Sequence, residues 1–477
     1  MILPSSWHGN WSGLRAVVLG LGKSGFSVAD TLIELGVSVT AVAGKVDDQI
    51  KELTEVIGAQ ILLGESEDLI SGLSGIDFAV VSPGYAPNHP QVRKLEALGI
   101  PIYTDIDLAY RLRDKTSRVS KWITITGTNG KTTTTELVAH MLRTAGHRAI
   151  ACGNIGNPVL DAVRDPEGFD FLVLELSSFQ LHYSHELTAE ASAFLNFAED
   201  HFDWHGSEQN YFASKAKVFN ATSKAIIFNE ADAKTLEAAK EAEVIEGARA
   251  VSFTLGIPAR SMVGYVEEFL VDRAFLEERA ESALELADLE DLAKIGPVTN
   301  QLKQNVAAAA ALARAVDVPP VVIKHAIASF TLAPHRVQLV AEHEGVRYVD
   351  DSKATNAHAA AASLASFDSV VWLVGGLLKG VDISDLIRDN LSRLRAAVII
   401  GKDTTELQAL FSRLAPQLPL RVLTGESMAM AVQVAKEFAQ PGDTVLLAPA
   451  AASMDQYRDY ADRGLQFQQA VRSGIES

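Results

Sequence analysis

The stretch Ile123–Thr135, ITITGTNGKTTTT, constrains this chain more than any other: a β-branched run breaks into a glycine-rich turn that hands Lys131 and Thr132 to a helix start. Strand, turn and helix in that order form a phosphate cradle. Gly127 and Gly130 let backbone N–H groups point into one concavity, the helix from about Thr132 adds its positive end, and Lys131 reaches terminal phosphates. Thr132 would hold Mg²⁺ through its hydroxyl. The full phosphate-loop pattern asks for glycine at 125, where this chain has Ile125, so what remains is the shorter GTNGKT. A tight turn with an exposed lysine is the plain alternative; the strand before and the amphipathic TELVAHMLRTAG after favour phosphate.

At 477 residues the chain exceeds one compact core, and two or three domains are expected. A net charge of −18 argues against nucleic-acid binding but leaves room for a small anion held by N–H groups, a few basic residues and Mg²⁺. Cys152 is the only cysteine, so no intrachain disulfide forms, which fits a reducing compartment. The start, MILPSSWHGNW, lacks the basic and apolar parts of a secretion signal. Val306–Val316 is Ala-rich, contains Arg314 and is too short to span a bilayer. A cytoplasmic monomer without membrane or nucleic-acid partners is the expectation.

The fold class read from the pattern is α/β in three domains: an N-terminal Rossmann-like unit at 1–113, a central phosphate-loop ATPase-like parallel sheet at 114–333 and a C-terminal Rossmann-like unit at 334–477. RAVVLG (15–20), Val37–Val42 and Ile76–Val81 read as strands around a helix at Ser24–Leu35, and Arg111–Ser120 as a linker. The second unit has strands at 122–126, 170–175, 192–196 and 225–228. Residues 231–294 are rich in Glu and Ala, and Glu277–Lys294 resists assignment. Asn305–Val316 reads as a helix. TLAPHR (331–336) marks the next boundary, followed by a hairpin through Glu344–Gly345 and strands near 369–374, 396–400 and 443–448.

Several clusters carry chemistry. GLGKSG (20–25) satisfies GxGxxG, yet Ala41–Lys45 reads AVAGK where a ribose-binding acid should stand, so a diphosphate is favoured over a nicotinamide cofactor. SPG (82–84) is either a second wall of that crevice or a plain turn. Glu175 interrupts the apolar strand FLVLEL, where a carboxylate needs a metal or a salt-bridge partner. NFAEDHFDWHG (196–206) gathers Glu199, Asp200, His201, Asp203 and His205; the histidine spacing suits one helix face, but Mg²⁺ beside nucleotide phosphates is more coherent than zinc. Lys215 follows on ASKAKVF. PHR (334–336), DDSKATN (350–356), GGLLKG (375–380) and APAAASMDQYRDYADRG (448–464) each lie beyond an apolar strand, and together suggest a pocket for a small anionic substrate.

GTNGKT, ELSSFQL, NFAEDH, a Lys after YFAS, PHR and DSKATN resemble the Mur ligases, ATP-dependent amide-forming enzymes of bacterial peptidoglycan precursor synthesis, and within them the D-glutamate-adding branch. The resemblance runs from the first Rossmann turn to APAAAS. It implies UDP-N-acetylmuramoyl-L-alanine, D-glutamate and ATP as substrates, joined through an acyl phosphate. It also implies that Gly22, Lys23 and Ser24 hold the diphosphate and that Gly127, Thr128, Asn129, Gly130, Lys131, Thr132 and Thr133 hold the ATP phosphates. Thr132 and Glu175 would bind one Mg²⁺, and His201 a second together with Lys215, carbamylated so that an amine becomes an anionic ligand. Lys131, His201 and Lys215 are thereby the candidate catalytic residues. Asn154 would contact the muramoyl or acyl part, Asn305 the adenine, and Arg336 and Asp351 the nucleotide. Lys353, Thr355, Lys379, Ser453 and Tyr460 would surround D-glutamate.

Ala43, Ala308 and Leu378 depart from the family pattern, where Asp, Asn and Asp are usual. The competing readings are a Mur-type ligase of other amino-acid specificity, a Rossmann oxidoreductase using NAD, and a UDP-sugar binder without turnover.

Overall fold

The structure is a computed structural model that describes residues 3–476 apart from Ala333 and Lys379, and without the side chains of Asp203 and Glu476. It contains three sheets, of five, nine and six strands. The chain divides into two compact units, one running to Asp288 and including Gln304–Ile327, the other formed by Leu289–Lys303 and the chain from Ala328. Among the described residues no helix is long and apolar enough to cross a membrane.

The first sheet is parallel, in the order Gln60–Leu63, Ser38–Ala43, Arg15–Leu19, Phe78–Val81, Ile102–Tyr103. Its strands are short apolar runs because helices cover both faces. Strand order reverses between Arg15–Leu19 and Phe78–Val81, and beyond their carboxyl ends lies the crevice where open sheets take ligands. Helix Lys23–Glu34 starts there. A Cβ at position 25 would sit 1.9 Å from the Gly20 carbonyl oxygen, so only Gly25 lets the helix descend onto the turn.

The second sheet runs Ala149–Gly153, Phe171–Glu175, Lys121–Thr126, Ala191–Phe194, Ala225–Asn229, Arg249–Phe253, Met262–Val266, Phe269–Asp272 and Leu284–Asp288. It is parallel as far as Met262–Val266 and ends in an antiparallel meander. The meander occupies the Glu- and Ala-rich region that the pattern left open; LELAD alternates too briefly, with charge on its outward face, to announce a strand. The edge strand AIACG is likewise unannounced. The helix expected at Asn305–Val316 begins earlier and spans Asn300–Ala315.

Residues 111–120 connect the first sheet to the second and are pinned along the way. Arg111 closes helix Asp105–Arg111, is buried, donates to Leu3 O at 2.8 Å and Pro4 O at 3.1 Å, and pairs with Glu186. Asp114 accepts the Ser6 hydroxyl and the Trp7 N–H. Asp107 accepts Ser184 Oγ and the backbone N–H groups of His185 and Glu186, at 2.8–3.1 Å. The polar side chains of this linker and of the helix before it fasten the first sheet to the second.

The third sheet has the order Gln338–His343, Val346–Asp350, Thr444–Leu447, Val370–Gly375, Leu394–Gly401, Leu420–Thr424, parallel except for the first strand. The expected hairpin is present, turning through Glu344 and Gly345, whose φ values of 51° and 77° make a tight left-handed turn.

Candidate active site

The glycine turn leaves strand Lys121–Thr126 and ends at Gly130, whose φ of 80° caps helix Lys131–Thr144. A Cβ at 130 would lie 2.2 Å from Asn305 Oδ1, so Asn305 packs directly on the turn. The turn is pinned from outside by residues 196–198. Thr128 N–H bonds Asn196 O at 3.0 Å, Asn129 N–H bonds Asn196 Oδ1 at 2.8 Å, and Asn196 Nδ2 returns to Asn129 O at 3.1 Å. Thr128 Oγ1 accepts the Ala198 N–H at 3.0 Å. Sequence reasoning missed Asn196; its signal was an amide side chain placed directly after a strand, level with the turn.

Thr132 donates its hydroxyl to Glu175 Oε2 at 2.7 Å, and Asn154 Nδ2 donates to Glu175 Oε1 at 2.8 Å. Glu175 is buried at the end of its strand and accepts from these two neutral donors. That leaves a carboxylate and a hydroxyl side by side at the phosphate turn, the hard oxygen donors Mg²⁺ takes with phosphate and water.

Lys131 folds back, its Nζ donating to Gly127 O and Thr128 O, both at 2.9 Å. Lys215 Nζ donates to the same Gly127 O at 2.8 Å and is 2 % exposed. Burial first, and then the charge of Lys131, hold the Lys215 amine well below the usual lysine range, against the opposing pull of Asp200 and Glu175. Two amines gathered on one carbonyl make a site that an anion would stabilise. The Tyr211 ring lies 4.9 Å from Lys215 Nζ, and its hydroxyl is 3.2 Å from Thr128 Oγ1.

His201 sits before helix Phe202–His205 in a left-handed conformation, φ 54°, its Nε2 3.5 Å from Asp200 Oδ2 and its side chain 45 % exposed. His205 turns inward, Nε2 3.0 Å from Ser178 Oγ. The two histidines therefore do not share the helix face that their spacing suggested, because the helix begins only after His201. Among the described residues there is no group of three His, Cys, Asp or Glu side chains arranged to hold a metal.

At the first crevice Gly22 caps helix Lys23–Glu34 with no side-chain hydrogen bond, leaving its first N–H groups directed outward, with Lys23 exposed. Ser82 of SPG donates to Gly20 O at 3.2 Å, so that segment is the second wall of the crevice. A small cleft beneath is lined by Ser24, Ser82, Pro83 and Asp105. Both Asp105 oxygens are buried and, among the described residues, make no close hydrogen bond; burial pushes the carboxyl up to about 6 against the weaker pull of the Ile106 N–H and Gln180.

In the other unit the clusters at 350–356, 375–380 and 448–464 lie beyond the carboxyl ends of three adjacent parallel strands. Backbone bonds join them: Leu377 N–H to Ala452 O at 2.8 Å with its reciprocal at 3.0 Å, and Ala450 N–H to Ala354 O at 3.0 Å. Lys353 Nζ lies 3.8 Å from the Tyr460 ring centroid, and Thr355 N–H bonds Lys353 O. Ser453 is buried and its carbonyl accepts Gln456 and Tyr457 N–H groups. Asp351 Oδ1 accepts Val337 N–H at 3.2 Å, just past Arg336, and burial pushes that carboxyl up to about 6. Lys379 lies outside the described residues.

A pinned glycine turn opening a helix, with a carboxylate–hydroxyl pair and two converging lysines beside it, defines an α/β protein of the phosphate-loop class. The chain belongs to the Mur ligase family: residues 14–104 match the MurD-like N-terminal domain of Mur ligases, 125–312 the Mur ligase middle domain and 335–451 the Mur ligase glutamate ligase domain. It is 50 % identical to a UDP-N-acetylmuramoylalanine–D-glutamate ligase of Leifsonia xyli subsp. xyli, over 98 % of this chain and 94 % of that one. Proteins of the same name from Tropheryma whipplei (strain Twist) and Streptomyces coelicolor are 42 % and 44 % identical, over 99 % and 97 % of this chain and 98 % of each relative. Among solved structures, the UDP-N-acetylmuramate–alanine ligase MurC of Thermotoga maritima aligns with a TM-score of 0.57 at 15 % identity, covering 97 % of this chain and 99 % of that one. MurF of the same organism, solved with ADP, aligns at 0.56 and 16 % identity, covering 98 % and 97 %. These two share the three-domain fold.

Proposed function

We propose that this protein is an ATP-dependent ligase that joins D-glutamate to UDP-N-acetylmuramoyl-L-alanine, giving ADP and phosphate, in peptidoglycan precursor synthesis. The reading is carried by near-full-length similarity to relatives bearing that activity in their names, together with the Lys131–Gly127–Lys215 convergence at the phosphate turn. Its domains are assigned as 1–113 for the UDP substrate, 114–333 for ATP and 334–477 for the amino acid.

A carboxylate and an ammonium ion do not condense in neutral water, because the leaving oxygen is poor and the amine is protonated. Transfer of the γ-phosphoryl to the substrate carboxylate, with ADP leaving, solves the first difficulty. Gly127, Thr128, Asn129, Gly130, Thr132 and Thr133 cradle the ATP phosphates, and Lys131 exchanges its backbone carbonyls for phosphate oxygens. The amine of D-glutamate, after its ammonium proton passes to solvent, attacks the acyl carbon; the C–N bond forms, the C–O bond to phosphate breaks, and the nitrogen loses a second proton as phosphate departs.

Thr132 and Glu175 would hold one Mg²⁺ ion and His201 with Lys215 a second; metal there would supply positive charge to offset that of the transferring phosphoryl group. Lys215 suits carbamylation: a buried neutral amine adds to CO₂ and releases one proton, and the resulting anion is stabilised by the charge of Lys131. Gly22, Lys23 and Ser24 take the diphosphate at the uncapped helix start. Asn154 serves the acyl part through its tie to Glu175. Asn305 serves the nucleotide from its place on the turn, and Arg336 and Asp351 also serve ATP. Lys353, Thr355, Lys379, Ser453 and Tyr460 surround D-glutamate. The enzyme acts as a cytoplasmic monomer supporting cell-wall growth, and with it cell shape, division and cell-cycle progress.

The test is phosphate release with UDP-N-acetylmuramoyl-L-alanine, ATP and a panel of D- and L-amino acids. Release with D-glutamate alone is expected; release with another amino acid, or with none, overturns the assignment.

A further inference from the structure

Arg463 is 1 % exposed, on the first turn of helix Tyr460–Glu476. Its guanidinium donates from Nε to Ser352 Oγ at 3.0 Å, from Nη2 to Ser352 O at 2.9 Å, and from Nη1 to Ala451 O at 3.1 Å and Gly375 O at 3.4 Å. Those acceptors belong to three different segments, the DDSKATN turn, the end of strand Val370–Gly375 and the APAAAS turn. Ser352 also donates to Tyr460 O at 2.7 Å, which closes the ring back onto the helix carrying the arginine.

Its hydrogen-bond partners are carbonyls and a hydroxyl. Among the described residues no carboxylate lies within ion-pair distance of it, and burial lowers its pKa to about 10 against the opposing pull of Tyr457, Asp455 and Asp350. A buried cation without a directly paired carboxylate is costly and depends on its hydrogen bonds. It is stationed beneath the clusters that hold Lys353, Thr355 and Ser453. Gly376, adjoining one of its acceptors, has a φ of 121°, and a Cβ there would press on Ala452 O at 2.3 Å and approach Arg463 Nη1 at 3.4 Å.

We propose that Arg463 is a positioning residue for the amino-acid subsite: its planar fork sets the spacing of the three segments. The proposal rests on the reading that Lys353 and Ser453 lie at the D-glutamate subsite. Lysine cannot reproduce the fork, since it offers a point charge in place of several fixed N–H vectors.

Steady-state kinetics of Arg463→Lys and Arg463→Ala test it, with each substrate varied in turn and thermal melting as a check on folding. KM for D-glutamate is expected to rise roughly tenfold or more in both variants, with KM for ATP and for UDP-N-acetylmuramoyl-L-alanine within about twofold of the parent, as suits the loss of charged hydrogen bonds at one subsite. Free guanidinium at low millimolar concentration should restore part of the D-glutamate affinity of Arg463→Ala. If Arg463→Ala fails to fold, Arg463→Lys decides the matter alone. A folded Arg463→Lys with unchanged KM for D-glutamate overturns the proposal. Lys353→Ala separates the two readings: should it too leave KM for D-glutamate unchanged, the placement of the subsite itself is wrong, whereas a raised KM there with an unaffected Arg463→Lys condemns only the role of Arg463.

Discussion

Thr132 and Glu175 meet at 2.7 Å, the hydroxyl of the first helical turn after the glycine loop donating to a buried carboxylate at the end of the neighbouring strand. Nothing local in either segment requires this contact. It arises because strands Lys121–Thr126 and Phe171–Glu175 pair in parallel, with Ile125 opposite Glu175, so that their carboxyl ends fall level.

Glu175→Gln keeps the size and the acceptor for Thr132 but removes the charge. Phosphate release should fall by about 10²–10³ in kcat, the scale for removing one charge-stabilising group, and the Mg²⁺ concentration for half-maximal rate should rise. A magnesium titration that superimposes on the parent curve would remove Glu175 from the metal site.

Lys131→Ala should lose on the order of 10²–10³ in kcat with ATP saturating, because charge beside the transferring phosphoryl is lost at the moment it is needed. The phosphate-release assay is the measure. Near-normal turnover would leave the glycine turn a structural feature only.

Lys215→Ala should be inactive, with partial recovery in acetate, whose carboxylate can stand in for a carbamate. Lys215→Met tests the same site through stability. The unfolded lysine keeps its proton up to about pH 10, whereas the folded one has its pKa held well below that by burial. The parent's stability is therefore penalised near neutrality and recovers as pH rises toward the unfolded value. In CO₂-free buffer at pH 7 Lys215→Met should equal or exceed the parent by up to about 4 kcal/mol, the gap closing near pH 10. Urea unfolding that shows the parent more stable throughout would contradict this account.

Asp105 gives a prediction of opposite slope. Its folded pKa, raised to about 6, lies above the unfolded value of about 3.9, so the folded state holds the extra proton between them. Its contribution to stability is present at the acid end and is lost as pH rises through that window. Asp105→Asn should be the more stable form at pH 7, on the order of 1–3 kcal/mol, with the advantage gone below about pH 4. Equal urea midpoints at both pH values would show that Asp105 is already satisfied.

The glycine turn, its lysine and the three α/β blocks were legible in the chain because each is a local pattern: an apolar run, a conformational break, then a helix start. The antiparallel meander after Arg249–Phe253 was not, since its strands are only four or five residues long and the last, LELAD, carries charge outward. Residues 111–120 do join the first two sheets, but their partners were not legible in the sequence. Polarity reports the wish for a partner and does not say whether that partner is water or, as here, Leu3 O, Ser6 and Glu186.

By itself the sequence determined which chemistry was available: phosphate-binding N–H groups, Lys131, Thr132, Glu175, Lys215 and the basic and hydroxyl residues of the last third. Only the tertiary structure decided who meets whom. Lys131 and Lys215 converge on Gly127 O, Asn196 braces the turn, Asn305 packs on Gly130, and Arg463 ties three loops whose members lie up to 111 residues away in the chain. Such contacts follow from parallel pairing, which aligns strand ends that are distant in sequence, and no spacing along the chain encodes them.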